Sequence, residues 1–362
     1  MTHLERYMSS IRRKPFDRIP FTMGMSGPCA ARLTEYTGVE YGRLLFDVFG
    51  VDKRWAGPRY VGPHRPCAEE GCYKTMFGVT MRKAECSGGS YDTAVAFPLA
   101  GAATADEVRG HDWPKAADHD FGPMLEAFDR HPDYPFMAGY HALGWFSWDM
   151  RGMDLFLEDL ILNPTIADAV IESVAEFGYA YFKALFEAAK PYLGGCFTTI
   201  QLADDWGTQR GLLIGVDTFR RHFKRHYSRM IDLAHKNGVL VEFHCCGSQG
   251  PLIPEFIDLG VDILNPLQTS AAGMTPHILK KEFGDHIAFS GGVDVQTVLP
   301  NGTVASVRDE VMYLLDSVGK GGGYVLEPSH SIQADTPPEN VVAMVDAIYE
   351  YYGMAKTGLN DR

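Results

Sequence analysis

The sequence predicts an α/β fold, a (β/α)8 barrel that carries an antiparallel β excursion near its N-terminus. From about residue 120 onward, short apolar runs alternate with helical patterns over short connections, which is typical of parallel strands with right-handed crossovers. Polar residues recur at or just after the apolar runs, as they do on the rim of a barrel. These residues are His141, Asp204, His244, Asn265, Asp294 and His330.

The N-terminal part of the chain precedes this regular pattern. Residues 1–57 are predicted to form a helix, a strand over 19–23 and a helix over 31–49. Residues 58–112 are rich in Gly, Pro and polar side chains, with β-like runs at 73–82 and 91–99, and they predict a β-rich insertion within the barrel. We expect residues 1–362 to form a single domain.

The later elements follow in order. Strands are predicted at 135–140, 197–202, 239–243, 261–265, 287–290 and 323–327. Helices are predicted at 122–130, 154–162, 165–189, 219–237, 252–259, 275–283, 304–318 and 340–351, and the aromatic segment 144–153 is predicted to be a loop. A doubly wound sheet is the alternative, and it is disfavoured because no Gly-x-Gly-x-x-Gly follows an early strand.

The composition excludes several classes of partner. The 362 residues are 46% hydrophobic and 22% charged, with a formal net charge of −13 and no block of five or more basic residues, so a nucleic acid is not expected. The sequence contains no run of 18 or more apolar residues, so no membrane span is predicted. Seven irregularly spaced cysteines and an N-terminus without an apolar signal core predict reduced thiols and a cytoplasmic location.

The segment 239–247 ends an apolar strand in an imidazole and two thiols. Because alternate strand residues point to the same side, His244 and Cys246 are predicted to face one metal ion, zinc above all, with Cys245 turned away. A catalytic zinc needs about three protein ligands, and His330 or Glu327 after the last strand is the best third donor. Both could instead act as acid or base. The alternative is a buried thiol pair beside a hydrogen-bonded histidine.

Other side chains near the predicted rim are candidates for catalysis or substrate binding. One carboxylate of the Asp204–Asp205 pair is expected to act as acid or base and the other to cap a turn, and Asp204 is favoured for catalysis. The aromatic loop at 144–153 suits a flat apolar substrate, although simple packing of the loop over the barrel is the alternative. Arg151 suits a carboxylate or phosphate, although a structural ion pair is the alternative. The candidate substrate-binding residues are His141, Trp145, Trp148, Arg151, Gln209, Asn265 and Asp294.

Several segments together resemble the uroporphyrinogen decarboxylase superfamily, and within it the methyltransferase branch that works with corrinoid proteins. They are residues 151–153, 204–209, 244–247, 291–300 and 331–340. The resemblance implies a distorted (β/α)8 barrel, a homodimer and a zinc site at His244 and Cys246. Corrinoid-linked members take their third zinc ligand from a cysteine after the last strand, and His330 occupies that position here.

The resemblance implies an activity and two partners. The expected enzyme moves a methyl group between a small O-methyl compound, such as an aryl ether, or an N-methyl compound and the cobalt of a corrinoid protein. The chain has no Asp-x-His-x-x-Gly corrinoid motif, so the cobalamin is expected on a partner protein.

Two other functions remain as alternatives. The first is decarboxylation of a porphyrinogen-like or smaller acid. It is disfavoured because residues 19–25 lack the arginines with which the true decarboxylases hold substrate carboxylates. The second is a non-catalytic barrel that binds a tetrapyrrole or a metabolite.

Overall fold

A computed structural model describes residues 1–86 and 89–360. Within these residues, seven parallel strands form one sheet in the order β1-β7-β8-β9-β10-β11-β12. The strands of the chain are β1 (Arg54–Ala56), β2 (Arg59–Tyr60), β3 (Cys72–Lys74), β4 (Thr80–Cys86), β5 (Gly89–Ala96), β6 (His119–Asp120), β7 (Phe136–Ala142), β8 (Phe197–Ala203), β9 (Leu240–His244), β10 (Ile263–Leu267), β11 (Ala288–Val293) and β12 (Tyr324–Pro328).

The segment around Phe21 closes this sheet into a barrel. Phe21 pairs in parallel with Leu326 of β12, and Met25 pairs with Ile332 just beyond that strand. On the other side, the backbone N–H of Asp52, two residues before β1, donates to the carbonyl of Phe21 at 2.9 Å. Since the segment contacts both edges of the sheet, the predicted (β/α)8 barrel is confirmed. The strand expected at residues 19–23 is not formed as a regular strand, because the segment contacts the sheet only through isolated bridges such as that of Phe21 with Leu326.

Helices connect the strands along the chain. They are α1 (His3–Ile11), α2 (Gly27–Thr37), α3 (Tyr41–Arg43), α4 (Ala105–Arg109), α5 (Gly122–Arg130), α6 (Gly144–Arg151), α7 (Met153–Leu162), α8 (Pro164–Ala188), α9 (Val216–His222), α10 (Lys224–Lys236), α11 (Ile253–Leu259), α12 (Pro276–Phe283), α13 (Val298–Asn301), α14 (Val304–Leu314) and α15 (Pro338–Tyr351). No helix among the described residues is both long and apolar enough to cross a membrane.

Three predictions about helices are wrong in detail. The helix expected over 31–49 is broken, because Gly38 ends α2 in the left-handed region (φ 68°) and α3 and a π-helical turn follow. The helix expected over 219–237 is divided into α9 and α10 at Phe223. The segment 144–153, expected to be a loop, forms helix α6, which ends at Gly152 with φ 91°.

The predicted β-rich insertion is confirmed. Strands β3, β4 and β5 form an antiparallel sheet, and β2 pairs with β6 in antiparallel fashion. The ring of Phe77 lies 5.0 Å from that of Phe146 in α6, measured between centroids, and the backbone N–H of Leu99 donates to Met150 at 2.8 Å. The insertion therefore packs against α6, beside the C-terminal ends of the barrel strands.

A bulge in β7 sets the direction of the side chains at its end. The register between β7 and β8 shifts before Tyr140, and Gly139 has φ 82°. A Cβ atom at Gly139 would lie 3.1 Å from the ring of Phe182 on α8, so the close packing of this helix also favours glycine. After the bulge, Tyr140 pairs with Gln201, whose side chain lies in the barrel mouth.

Candidate functional site

His244, Cys246 and His330 come together at the C-terminal ends of β9 and β12. Their potential ligand atoms all lie within 4.8 Å of one another. The sulfur of Cys246 is 3.3 Å from Nε2 of His244, and the rings of His244 and His330 are 6.0 Å apart between centroids. The structure thus joins the three residues that the sequence predicts as metal ligands.

The neighbouring strand fixes the tautomer of His244. Asn265 donates from its amide nitrogen to Glu327 Oε2 at 3.0 Å, so its oxygen faces His244 Nδ1 at 2.6 Å. Because an amide oxygen only accepts hydrogen bonds, Nδ1 must carry the proton and donate it. The lone pair of His244 is then on Nε2, toward Cys246 and His330, which is the arrangement of a histidine ready to bind a metal.

The donor set fits zinc. Two tetrahedral zinc ligands, one nitrogen and one sulfur, lie roughly 3.6 Å apart for ordinary bond lengths, close to the 3.3 Å found between His244 and Cys246. Partial desolvation and the neighbouring His244 lower the pKa of His330, which favours the neutral imidazole that a metal ligand needs. Burial and the carboxylate of Asp205 raise the pKa of the Cys246 thiol, so a metal ion has to displace its proton. Three protein donors leave a fourth position for a reacting group.

The two adjacent carboxylates after β8 have different surroundings. The side chain of Asp204 is fully buried and accepts hydrogen bonds from the N–H groups of Gly144 at 2.8 Å and Trp145 at 2.7 Å, and from the hydroxyl of Tyr227. Burial raises the pKa of Asp204 to about 7, although these hydrogen bonds oppose the shift. Asp204 thus caps the first turn of α6, and its hydrogen bonds do not join it to His244, Cys246 or His330.

Asp205 is the carboxylate that faces the cluster. Its Oδ1 accepts the backbone N–H of Cys246 at 3.1 Å and lies 3.8 Å from Nε2 of His244. Its side chain is 34% exposed, so it is open to solvent and to a ligand. The sequence favoured Asp204 for catalysis and left its neighbour to cap a turn. In the structure Asp204 is the capping residue and Asp205 faces the cluster.

A layer of buried polar groups lies below the cluster, inside the barrel. Lys53 donates to Glu242 at 2.8 Å, and Gln201 donates to the other oxygen of that carboxylate at 3.2 Å. Ser290 donates to Glu327 at 2.7 Å. Burial raises the pKa of Glu327, and the nearby charge of Lys53 opposes the shift. Because every one of these groups has a partner, the layer holds Glu327 and Asn265 firmly beneath His244.

The cluster opens into a cavity of about 200 Å³. The residues lining it are Gly24, Gln201, His244, Asn265, Pro266, Glu327, Pro328, Ser329, His330 and Ser331. Among the described residues, this lining includes no Lys or Arg side chain that could pair with the several carboxylates of a large anionic substrate. Of the predicted substrate-binding residues, it contains Asn265.

Three other predicted substrate-binding residues have structural contacts. His141 is fully buried and points outward from the barrel, with its ring 6.0 Å from that of Phe177. Arg151 is buried, pairs with Asp159 at 2.8 Å and donates to the carbonyl of Leu99 at 2.6 Å. The carboxylate of the buried Asp294 accepts the backbone N–H groups of residues 296 and 297. The structure does not bring these three to the cavity.

The remaining candidates lie away from the cluster. Trp145 and Trp148 of α6 line a separate cavity of about 300 Å³ between α6 and the insertion. Gln209 is exposed, and its backbone carbonyl accepts the N–H of Ala272 at 3.0 Å. Trp145 and Trp148 therefore form an aromatic wall, but this wall lines a cavity that shares no described lining residue with the cluster cavity.

Sequence reasoning missed the interior layer of Lys53, Gln201, Glu242 and Ser290. A signal for part of it was present, because Glu242 and His244 are two residues apart on one strand and so share a face. Gln201 is likewise a polar residue in an apolar strand, paired in register with Glu242. Lys53 had no such signal, since its carboxylate partner is 189 positions away in the sequence.

A parallel barrel with a three-donor cluster and a carboxylate at the C-terminal ends of its strands belongs to the class of α/β-barrel enzymes. The sequence model of the family described as uroporphyrinogen decarboxylase (URO-D) matches residues 148–351, which is more than half of the chain. The chain belongs to the uroporphyrinogen decarboxylase family, as the sequence segments predict.

Relatives of two kinds support this assignment. The chain is 26% identical over 224 residues to the methylcobamide:CoM methyltransferase of Methanosarcina barkeri (strain Fusaro / DSM 804), an alignment that covers 61% of this chain and 60% of the relative. It is 28% identical over 222 residues to the uroporphyrinogen decarboxylase of Herminiimonas arsenicoxydans, covering 59% and 56%. The chain thus spans about three fifths of the length of the curated relatives it matches.

A solved structure extends the fold comparison to nearly the whole chain. A methyltransferase from Methanosarcina mazei superposes with a TM-score of 0.69 at 19% identity, covering 97% of this chain and 99% of that chain. At this identity, the similarity establishes the shared fold.

Proposed function

We propose that the protein is a methyltransferase that moves a methyl group between a small O- or N-methyl compound and the cobalt of a corrinoid protein. The observation that carries the proposal is the cluster of His244, Cys246 and His330, with His244 oriented by Asn265 at 2.6 Å. The similarity to a methylcobamide:CoM methyltransferase supports it. We also propose that residues 1–362 act as one domain and as a homodimer.

The side chains at the mouth have separate roles in this proposal. A zinc ion held by His244, Cys246 and His330 would supply a Lewis acid for a departing oxygen or would bind a thiolate acceptor. Asn265 and Glu327 hold the imidazole of His244 in the ligand tautomer. In this proposal, Asp205 rather than Asp204 exchanges a proton at the cluster, and the 3.8 Å between its Oδ1 and His244 Nε2 supports this role.

Decarboxylation is the less favoured activity. A polycarboxylate substrate needs several cationic partners, and the cavity lining among the described residues has no Lys or Arg. Lys53, a buried cation inside the barrel, is already paired with Glu242 at 2.8 Å. Metal-independent release of carbon dioxide from a porphyrinogen would be the finding that favours decarboxylation.

A direct assay tests the proposed activity. The protein is mixed with cob(I)alamin and a panel of aryl methyl ethers and methylamines, with and without a competent corrinoid protein, and methylcobalamin is followed by its absorbance. We expect turnover with at least one compound, and a loss of at least about a hundredfold in Cys246→Ser together with reduced zinc content by elemental analysis. Wild-type protein that contains no metal and transfers no methyl group from any compound contradicts the proposal.

A further inference from the structure

A second cavity of about 230 Å³ lies beside the cluster cavity and is walled by aromatic rings. Six of its lining residues are aromatic: Trp55, Tyr60, Tyr140, Phe146, Phe177 and Tyr181. The rings are held by contacts with each other, such as Tyr140 with Phe146 at 6.0 Å and Phe177 with Tyr181 at 6.1 Å between centroids. We call this cavity the ring pocket.

Tyr140 connects the ring pocket with the metal-ligand cluster. It lines the ring pocket and pairs in register with Gln201, which lines the cluster cavity. The thiol of Cys246 and the carboxylate of Asp205 are near enough to act electrostatically on the Tyr140 hydroxyl. The two cavities are therefore neighbours on the same mouth of the barrel.

We propose that the ring pocket binds the aromatic ring of an uncharged aryl methyl ether, with the methoxy group directed past Tyr140 toward His244 and Cys246. This inference rests on the proposed methyltransferase function and names the substrate class. In demethylation, the O–CH3 bond breaks and its electron pair stays on the phenolic oxygen, which takes a proton from solvent. The methyl carbon bonds to cobalt with the electron pair of the cobalt(I) corrinoid co-substrate.

The size and the lining of the pocket select an aromatic ring. A volume of about 230 Å³ is below the ~300–1,000 Å³ usual for pockets of drug-sized ligands, so a compound with a single ring suits it. Stacked and edge-on contacts between rings contribute about 0.5–1.5 kcal/mol each beyond the area they bury. The other lining residues, Pro58, Met76 and His119, leave the wall without any Asp, Glu, Lys or Arg.

Charge then decides which aryl compounds are accepted. A carboxylated ring would lose its hydration without gaining a cationic partner from the lining. The carboxylates of Asp149 and Asp205 are close enough to act on Tyr140, so an anion would also be repelled. A neutral methoxyphenol avoids both costs, and we expect it to bind in preference to a methoxybenzoate.

Binding measurements on the full chain test this preference. Isothermal titration calorimetry at pH 7 with 2-methoxyphenol and with 4-methoxybenzoate is expected to give at least about tenfold tighter binding of the phenol. Met76→Arg adds a cation to the pocket wall and should strengthen binding of 4-methoxybenzoate about tenfold. The matched control is Met354→Arg, which adds the same charge at an exposed residue outside the pocket and should change neither affinity.

A second pair of variants tests the pocket even if Met76→Arg does not fold. Tyr60→Leu removes one ring from the pocket and should weaken binding of 2-methoxyphenol about fivefold, whereas Tyr36→Leu removes an exposed tyrosine elsewhere and should not. Equal binding of the two ligands, tighter binding of phenyltrimethylammonium than of 2-methoxyphenol, or no effect of Tyr60→Leu would overturn the proposal.

The same experiments separate this inference from the proposed function. If 2-methoxyphenol binds through the ring pocket and methylcobalamin forms from no compound, the pocket assignment stands and the methyltransferase proposal fails. If methylcobalamin forms only from methylamines, with no binding of the aryl ligand, the methyltransferase proposal stands and the pocket assignment fails.

Discussion

At the residue scale, the chemistry of the site depends on the orientation of one imidazole. His244 projects its Nε2 toward Cys246 because Asn265 accepts the Nδ1 proton, and Asn265 is itself held by Glu327. The outer partners of a ligating histidine fix its tautomer and raise its basicity. The site therefore includes Asn265 and Glu327 as positioning residues as well as the three donors.

The role of Asn265 can be tested through metal affinity. Asn265→Ala removes the acceptor for His244 Nδ1 and is expected to lower zinc affinity about tenfold to a hundredfold, measured by competition with a chromogenic chelator. Asn301→Ala, at an exposed position, is the matched control and should bind zinc like the wild type. An unchanged zinc affinity in Asn265→Ala would show that the hydrogen bond to His244 has no positioning role.

At the scale of the element, helix α6 depends on a carboxylate from another strand. The residue before it, Leu143, has no side-chain cap, and the N–H groups of Gly144 and Trp145 donate to Asp204 at the end of β8. A Cβ atom at Gly144 would lie 2.1 Å from the ring of Trp206, so this helix begins against the packed loop that carries Asp204. The cap and the packing account for a helix where the local sequence predicts a loop.

The pair Asp204→Ala and Asp205→Ala separates stability from chemistry. Asp204→Ala leaves two helix N–H groups and the Tyr227 hydroxyl without their acceptor, and we expect a loss of about 3 kcal/mol in the free energy of unfolding. Asp205→Ala should change the stability by less than about 1 kcal/mol and reduce methyl transfer. Urea unfolding and the methylcobalamin assay measure the two effects, and the opposite pattern would restore Asp204 as the catalytic carboxylate.

At the scale of the whole molecule, the barrel is closed by a buried ionic cluster around Asp52. This fully buried carboxylate accepts hydrogen bonds from Arg6 Nη1 at 2.8 Å, Arg18 Nη1 at 2.6 Å and the backbone N–H of Phe21 at 2.9 Å. His3 Nδ1 lies 2.8 Å from the same carboxylate. Helix α1, the closing segment and the residues before β1 are thereby joined at one point.

Loss of this carboxylate should destabilise the whole fold. Asp52→Asn is expected to lower the free energy of unfolding by about 3–5 kcal/mol, because Arg6 and Arg18 lose a buried partner. Asp232→Asn, at an exposed position, is the control and should be neutral. Chemical denaturation at pH 7 gives both values, and equal stability of the two variants would argue against this cluster as the closure of the barrel.

The contribution of Asp52 to the free energy of unfolding is expected to fall at low pH. Burial alone would raise the pKa of Asp52, but the hydrogen bond with His3 and the charges of Arg18 and Arg6 outweigh it and hold the pKa below its usual value. Its contribution is therefore complete above the unfolded pKa of about 3.9 and is lost as the pH falls through the lower folded value. The difference in the free energy of unfolding between wild type and Asp52→Asn should therefore narrow as the pH falls below about 4.

The sequence by itself predicted the barrel, its insertion and the convergence of His244 and Cys246 with His330 or Glu327. Hydrophobic periodicity and side-chain alternation are local properties, so they locate the strands and place His244 and Cys246 on one face. The position of His330 after the last strand followed from the topology of a closed barrel, in which all strand ends meet at one mouth.

Only the tertiary structure decided which polar side chains reach that mouth. The side chains of Asp204, Arg151 and Asp294 are held by hydrogen bonds to backbone groups of distant or neighbouring segments. No periodicity in the sequence encodes those partners. Lys53 and Glu242 likewise meet across the barrel. A buried charge or hydrogen-bonding group is placed by the partner that satisfies it, and that partner is fixed by the fold as a whole.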